Sequence, residues 1–222
     1  MALGDQSLVA ARRPVCPRCQ RAQSACICHW IRPVSHAVEV VVLQHPLEVA
    51  NVKGTARLLH LSLPRSQLVS GEVFDEATLQ ALLSAPFEKQ SSASSPRHAV
   101  LLYPQTPQDG TQGWPSPPLL TPQMCSDPAH LRLLVLDATW RKSRKMLFLN
   151  PLLQRLPRLA LRDTPTSRYL IRKAHRPDQL STLEATCVAL AQLEGGLTPF
   201  LPLLSAFDGF VAAVRSRQEG LG

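Results

Sequence analysis

Residues 133–146 read Leu-Leu-Val-Leu-Asp-Ala-Thr-Trp-Arg-Lys-Ser-Arg-Lys-Met. An aliphatic run ends in an acid, Asp137, followed by a small polar turn, a tryptophan and four cations within five residues. The aliphatic residues suit a strand apolar on both faces, as in a sheet covered by helices. Asp137 or Thr139 can cap the helix that follows. In open α/β sheets ligands gather beyond the carboxyl ends of strands, and Asp137 is expected at such an end. Arg141, Lys142, Arg144 and Lys145 suit phosphates. An acid at a strand end beside a basic helix suggests chemistry performed on a nucleic acid.

A second constellation is Cys16-x2-Cys19-x6-Cys26-x-Cys28. Four thiolates in so short a span can close a tetrahedron around Zn2+, and four protein ligands leave no open position for catalysis, so the site is expected to be structural. Four neighbouring free thiols in a loose terminus would instead be a redox liability. Cys125 and Cys187 stand alone and read as packing residues.

Other chemistry-bearing residues cluster at strand ends. Gln44-His45-Pro46-Leu47-Glu48 follows the first strand, where His45 is a candidate base or RNA contact and Pro46 stops the strand. Leu102-Tyr103-Pro104 ends another, with Tyr103 able to stack on a ring. Arg168, Tyr169, Arg172, Lys173, His175 and Arg176 mix cations with an aromatic, which suits phosphates and a stacked base. Ser181-Thr182-Leu183-Glu184 is a capping box whose first-turn amides also offer an anion site. There is no glycine-rich phosphate loop, Gly-x-Ser-x-Gly elbow or His-Glu-x-x-His helix, which argues against nucleotide hydrolysis, Rossmann-type cofactor binding and zinc peptidase chemistry.

The elements that must position these residues alternate between strand and helix. Strands are expected at 38–43, 67–70, 98–103, 131–136 and 158–161. Helices are expected at 51–61, with Asn51 a possible cap, and at 75–83, 140–149, 151–156, 181–194 and 199–217. The class is therefore α/β with a mostly parallel sheet flanked by helices. Residues 104–123 hold six of the twenty prolines and two glycines, so they form a long loop. Three units are expected: a flexible tail at 1–15, a four-cysteine zinc knuckle at 16–36 and an α/β catalytic domain at 37–217.

The 222 residues carry a formal charge of +8 with a pI near 9.6. Residues 141–176 alone hold eleven Lys/Arg against one acid, a net of +10, so the rest carries −2. Charge concentrated in one segment favours a nucleic-acid partner over a surface made for solubility. No signal-peptide pattern or membrane-spanning apolar run is found, so a cytoplasmic protein with reduced cysteines is expected.

The Asp137-Ala-Thr-Trp140 segment resembles the signature of the DTW-domain family, whose usual form is Asp-Gly-Thr-Trp. The N-terminal cysteines, Gln44-His45-Pro46-x-Glu48, Leu102-Tyr103-Pro104, Tyr169-x-Ile-Arg172-Lys173 and the 180–185 segment match in the same order. The resemblance implies a tRNA-uridine aminocarboxypropyltransferase, which moves the 3-amino-3-carboxypropyl group of S-adenosyl-L-methionine to N3 of a tRNA uridine and leaves methylthioadenosine. It also implies a SPOUT-like fold with a knotted C-terminal half. On this reading Asp137 is the catalytic residue, which accepts the N3 proton or orients it. Leu102, Tyr103, Pro104, Asp137, Thr139, Trp140, Ser181, Thr182 and Glu184 line the donor site. His45, Arg141, Lys142, Arg144, Lys145 and the 168–176 cluster meet tRNA. Ala138 departs from the usual Gly, and would be strained if that position needed a positive φ.

Three other readings compete. An RNA methyltransferase would use the same donor, a non-catalytic zinc-containing RNA-binding module would explain the charge and cysteines but not the acid and tryptophan, and an enzyme of the same chemistry could act on rRNA. No obligate protein partner is expected, and the chain reads as a monomer or weak dimer.

Overall fold

A computed structural model describes residues 14–87, 97–105, 116–167 and 180–219. The described strands are β1 (Glu39–Gln44), β2 (Ser66–Ser70), β3 (His98–Leu102), β4 (Leu131–Asp137) and β5 (Arg158–Leu159). They form one sheet in the order β2-β1-β4-β3-β5, every pair parallel. The helices are α1 (Pro46–Val49), α2 (Ala56–Ser62), α3 (Glu76–Ser84), α4 (Trp140–Leu149), α5 (Pro151–Gln154), α6 (Thr182–Glu194) and α7 (Leu201–Glu219).

Both faces of the sheet are covered, which is why β1 and β4 read as unbroken aliphatic runs. Successive side chains alternate between faces. Val40, Val42, Leu133 and Val135 join α2, α6 and α7 in one core; Val41, Leu43 and Leu134 join α3, α4 and α5 in the other. The chain therefore leaves β1 toward one face, through α2, and leaves the adjacent β4 toward the other, through α4. Neighbouring strands whose connections part in this way open a crevice at their carboxyl ends, where ligands bind in open α/β sheets.

The cysteine segment packs into the core with α2, α6 and α7 through Cys16, Cys19, Ile27 and Ile31. Trp30 lies against α7 so closely that a Cβ on Gly209 would come within 2.2 Å of its ring. Arg21 stacks over Phe210 at 5.4 Å and donates to the carbonyls of Val52 and Gly54. This pins the turn that follows α1.

Several boundaries differ from expectation. The helix expected at 51–61 begins only at Ala56. Asn51 does not cap it; its Oδ1 accepts from the Lys53 amide at 3.0 Å and its carbonyl from Gly54 at 2.8 Å, a turn that competes with helix. Strand β1 extends one residue further, through Gln44, and β4 through Asp137. The ladder persists there because Gly71 N donates to Gln44 O and His45 N to Asp137 O, both at 3.0 Å. Elements α5 and β5 are two residues shorter than expected, and α7 follows a 3-10 turn at Thr198–Phe200. Among the described residues, no helix is long and apolar enough to cross a membrane.

Candidate active site

The site grows from strand register. Gln44 and Asp137 end adjacent strands and are Cα partners in the ladder, so their side chains leave the sheet on the same face. Gln44 Nε2 donates to Asp137 Oδ2 at 2.8 Å. On that face α6 begins above them, and Thr182 Oγ1 donates to Asp137 Oδ1 at 2.6 Å. A carboxylate accepts about four hydrogen bonds, and here both oxygens accept from side chains held by the fold. Asp137 is 6% exposed, at the carboxyl end of β4 where the connections of β1 and β4 part to opposite faces.

The start of α6 is itself built firmly. Ser181 Oγ accepts from the Glu184 amide, Glu184 Oε2 accepts from the Ser181 amide at 2.8 Å, and Thr55 Oγ1 accepts from the Leu183 amide. Ser167 also donates to Glu184. The Glu184 carboxylate therefore orders the backbone that carries Thr182. The helix ends at Gly195, whose φ of 85° is the left-handed conformation that glycine adopts without strain.

Neither Asp137 nor Thr139 caps α4 with its side chain: Thr139 occupies the cap position without such a bond, and the Asp137 carboxylate turns to Gln44 and Thr182 instead. Ala138 is not strained, since the only described non-glycine residues with positive φ are Gln20 and Asp163.

On the other flank, Tyr103 follows β3 and is buried. Its ring meets Trp140 edge-to-face at 5.5 Å, and the Arg158 guanidinium lies 5.3 Å from its centre. Leu102 is half-buried and Pro104 exposed. Trp140 is 52% exposed, so part of its ring is open to a ligand. The expected donor-site residues thus fall at the carboxyl end of β3 and β4 or at the adjoining start of α6.

The cations divide into two kinds. Arg141 and Arg144 are exposed on α4. Lys142 pairs with Glu48 at 2.9 Å and Lys145 with Glu72 at 3.0 Å. His45 is buried: its Nδ1 accepts from the Leu47 amide, capping α1, and its Nε2 donates to Glu72 at 3.1 Å. Both ring nitrogens are thus engaged within the protein, in a tethering role. Lys145 first, then His45, hold the Glu72 carboxyl below the usual range by hydrogen bonding to it. Arg168, Tyr169, Arg172, Lys173, His175 and Arg176 lie outside the described residues.

Sequence reasoning singled out neither Gln44, as a partner of Asp137, nor Glu72, the acid shared by His45 and Lys145. The first was legible in principle, had β1 and β4 been paired with the correct register. The second required knowing that the turn after β2 folds over α4.

The four cysteine sulfurs of Cys16, Cys19, Cys26 and Cys28 lie within 4.8 Å of one another. Cys16 and Cys28 are 3.6 Å apart, and Cys19 and Cys26 3.8 Å. Zinc–sulfur bonds of about 2.3 Å give a tetrahedron with edges of about 3.8 Å, so the cluster has the size and donor set for that ion. Hydrogen bonds to the backbone at Cys19, then Arg18, lower the Cys16 thiol to about 6, whereas burial, then the adjacent sulfurs, push Cys28 up to about 12. A cation among the sulfurs would favour the all-thiolate state.

Comparison with known proteins gives a consistent family. A mouse (Mus musculus) tRNA-uridine aminocarboxypropyltransferase 2 is 28% identical over 190 residues, covering 83% of this chain and 58% of the relative. The Drosophila melanogaster protein of the same name is 30% identical over 191 residues, covering 82% of this chain and 68% of the relative. An Arabidopsis thaliana tRNA-uridine aminocarboxypropyltransferase A is 28% identical over 153 residues, covering 64% and 53%. The chain thus spans little more than half the length of the mouse relative. No solved structure matches it. A DTW domain profile matches residues 13–215, and the chain belongs to the DTW domain family.

Proposed function

We propose that this chain transfers the 3-amino-3-carboxypropyl group of S-adenosyl-L-methionine to N3 of a uridine in tRNA. The family membership and the names of its relatives support that reaction class. The observation that carries the residue-level reading is Asp137, buried at the carboxyl end of the central strand and held by Gln44 and Thr182 beside the basic face of α4.

Uridine N3 is a poor nucleophile until its proton is drawn away. Asp137 accepts or orients that proton. N3 then forms a bond to Cγ of the methionyl chain as the Cγ–S bond breaks, and the electron pair returns to sulfur to give methylthioadenosine. Selecting Cγ over the methyl group is a matter of orientation, which rests on how the pocket holds the donor. In this proposal Leu102, Tyr103 and Pro104 flank the adenosine, and the 181–184 turn meets the amino-acid end. Thr139 and the open face of Trp140 lie toward the sulfonium, which an aromatic face attracts as it does other cations. Arg141 and Arg144, with the 168–176 cluster, hold phosphates, Lys142 and Lys145 adding positive charge beside them while paired to Glu48 and Glu72, and the uridine is unstacked to reach the crevice.

The remaining parts of the proposal are structural zinc on the four cysteines, a SPOUT-like relation with a knotted C-terminal half, and a cytoplasmic setting that keeps the thiols reduced. The all-parallel sheet and the return of α6 onto the end of β4 are compatible with the fold relation. A tail at 1–15, a knuckle at 16–36 and a catalytic unit at 37–217 complete it.

The test is nucleoside mass spectrometry of tRNA incubated with protein and S-adenosyl-L-methionine. An aminocarboxypropyl adduct on uridine, lost in Asp137→Ala and Asp137→Asn, is expected. A methylated nucleoside would assign methyl transfer instead. Normal turnover by both variants would remove Asp137 from the reaction.

A further inference from the structure

We infer that Gln44 is a positioning residue for the transfer, acting through Asp137; this rests on the function proposed above. Four observations converge. Gln44 is buried at the last position of β1. Its backbone is fixed on both sides: its carbonyl accepts from Gly71, and the next amide, His45 N, donates to Asp137 O. Its Cα is the register partner of Asp137. Its amide nitrogen donates to Asp137 Oδ2 at 2.8 Å, while Thr182 donates to the opposite oxygen.

A carboxylate can rotate about its Cβ–Cγ bond, and one donor restrains that rotation only partly. Donors on both oxygens, one from β1 and one from α6, set the carboxylate plane. The amide must donate and cannot take up a proton in the working range, so it holds the ionised form of Asp137 without competing for the N3 proton. A glutamate in its place would do the opposite. Two carboxylates at hydrogen-bond distance cannot both stay ionised, and they share a proton to a higher pH.

The experiment measures aminocarboxypropyl transfer to tRNA from pH 5.5 to 9 by wild type, Gln44→Leu and Gln44→Glu, with thermal melting as the control for folding. Gln44→Leu is expected to lower kcat by about 10²-fold, the loss typical of a group misplaced by about an ångström, with the KM for S-adenosyl-L-methionine changed less than about twofold. Gln44→Glu is expected to be poorly active near neutrality and to recover as the pH rises, displacing the rising limb of the profile upward. Should Gln44→Leu fail to fold, the length-preserving Gln44→Glu decides by its profile alone. Wild-type product with normal turnover and an unshifted profile in the folded variants would overturn the role of Gln44 and leave the proposed function standing. Absence of aminocarboxypropyl product from wild type would overturn both.

Discussion

Replacing Glu39 with alanine tests whether the far end of the sheet depends on a compensated buried charge. Glu39 and Arg132 are register partners at the amino ends of β1 and β4. Arg132 is wholly buried. Its Nε donates to Glu39 Oε2 at 3.1 Å and its Nη2 to the same oxygen, while its other bonds run to the carbonyls of Leu82 and Ala85. Arg65 and Arg97 approach Glu39 at 3.2 and 3.3 Å. Burial draws the Arg132 pKa below its ordinary value, and Glu39 opposes that shift. Without the carboxylate the carbonyls still accept hydrogen bonds but do not neutralise the charge. Breaking a buried pair from one side costs about 3–5 kcal/mol, a large part of the roughly 5–15 kcal/mol that holds a domain folded. Removing both charges with a volume-matched pair, Glu39→Leu with Arg132→Met, should cost less than the single change, because the wholly buried cation leaves with its partner and only Arg97 and the more exposed Arg65 lose their acid. Urea unfolding reads both values. Gln44 lies five positions beyond Glu39, roughly 16 Å along a strand, so kcat per folded molecule should not change. A loss under about 1 kcal/mol for Glu39→Ala, or a double variant as unstable as the single, would refute the argument.

Three further outcomes are expected. Elemental analysis should find one zinc per chain in wild type and none in Cys19→Ser, and chelation should lower the Tm; a Tm indifferent to chelator would show that the knuckle stands without metal. His36 donates from Nδ1 to Val38 O and is lowered chiefly by burial, as is His60. The unfolded chain therefore takes up protons near pH 6.5 before the native state does, so stability should fall as the pH drops below about 6.5 and the fall should flatten in His36→Gln. An equally steep fall in that variant would remove His36 from the account. Arg141→Glu with Arg144→Glu should raise the KM for tRNA and reduce its salt dependence by about 0.9 in the log–log slope for each phosphate no longer neutralised, leaving the KM for the donor unchanged. Equal effects on both substrates would count against phosphate binding by these arginines.

The parts of the fold legible in the sequence are those set by local chemistry. The span of α4 followed from the strand-to-helix transition at Thr139 and from Pro151, which opens the next helix. The capping box named the start of α6, and the helix expected from position 75 begins there because Asp75 accepts from the Thr78 amide. The cysteine spacing led to a cluster of tetrahedral size because four ligands within thirteen residues need little help from the rest of the chain. What escaped was decided by tertiary partners. Asn51 had the right type for a helix cap but found a turn with Lys53 and Gly54 first. His45 had the type of a base, yet Glu72, a residue from the turn after β2, engages its second nitrogen. Asp137 was identified as an acid at a strand end, but its holders come from β1 and α6, and no local pattern announces a register.

That register explains how one pair of strands serves stability at one end and chemistry at the other. Gln44 lies an odd number of positions beyond Glu39, as Asp137 does beyond Arg132, so the two polar pairs leave the sheet on opposite faces. Each meets the helix of its own face at the end that suits its charge. The Arg132 cation takes the last carbonyls of α3, at Leu82 and Ala85, where a helix is partially negative. The Asp137 anion sits at the first turn of α6, where Thr182 donates and the helix is partially positive. Between them only aliphatic side chains intervene, four on each strand. Inserting one residue into that run of β1 while Glu39 keeps its place would turn Gln44 away from α6 and take its hydrogen bond from Asp137. The length of the hydrophobic run is thus as much a determinant of the site as the acid at its end.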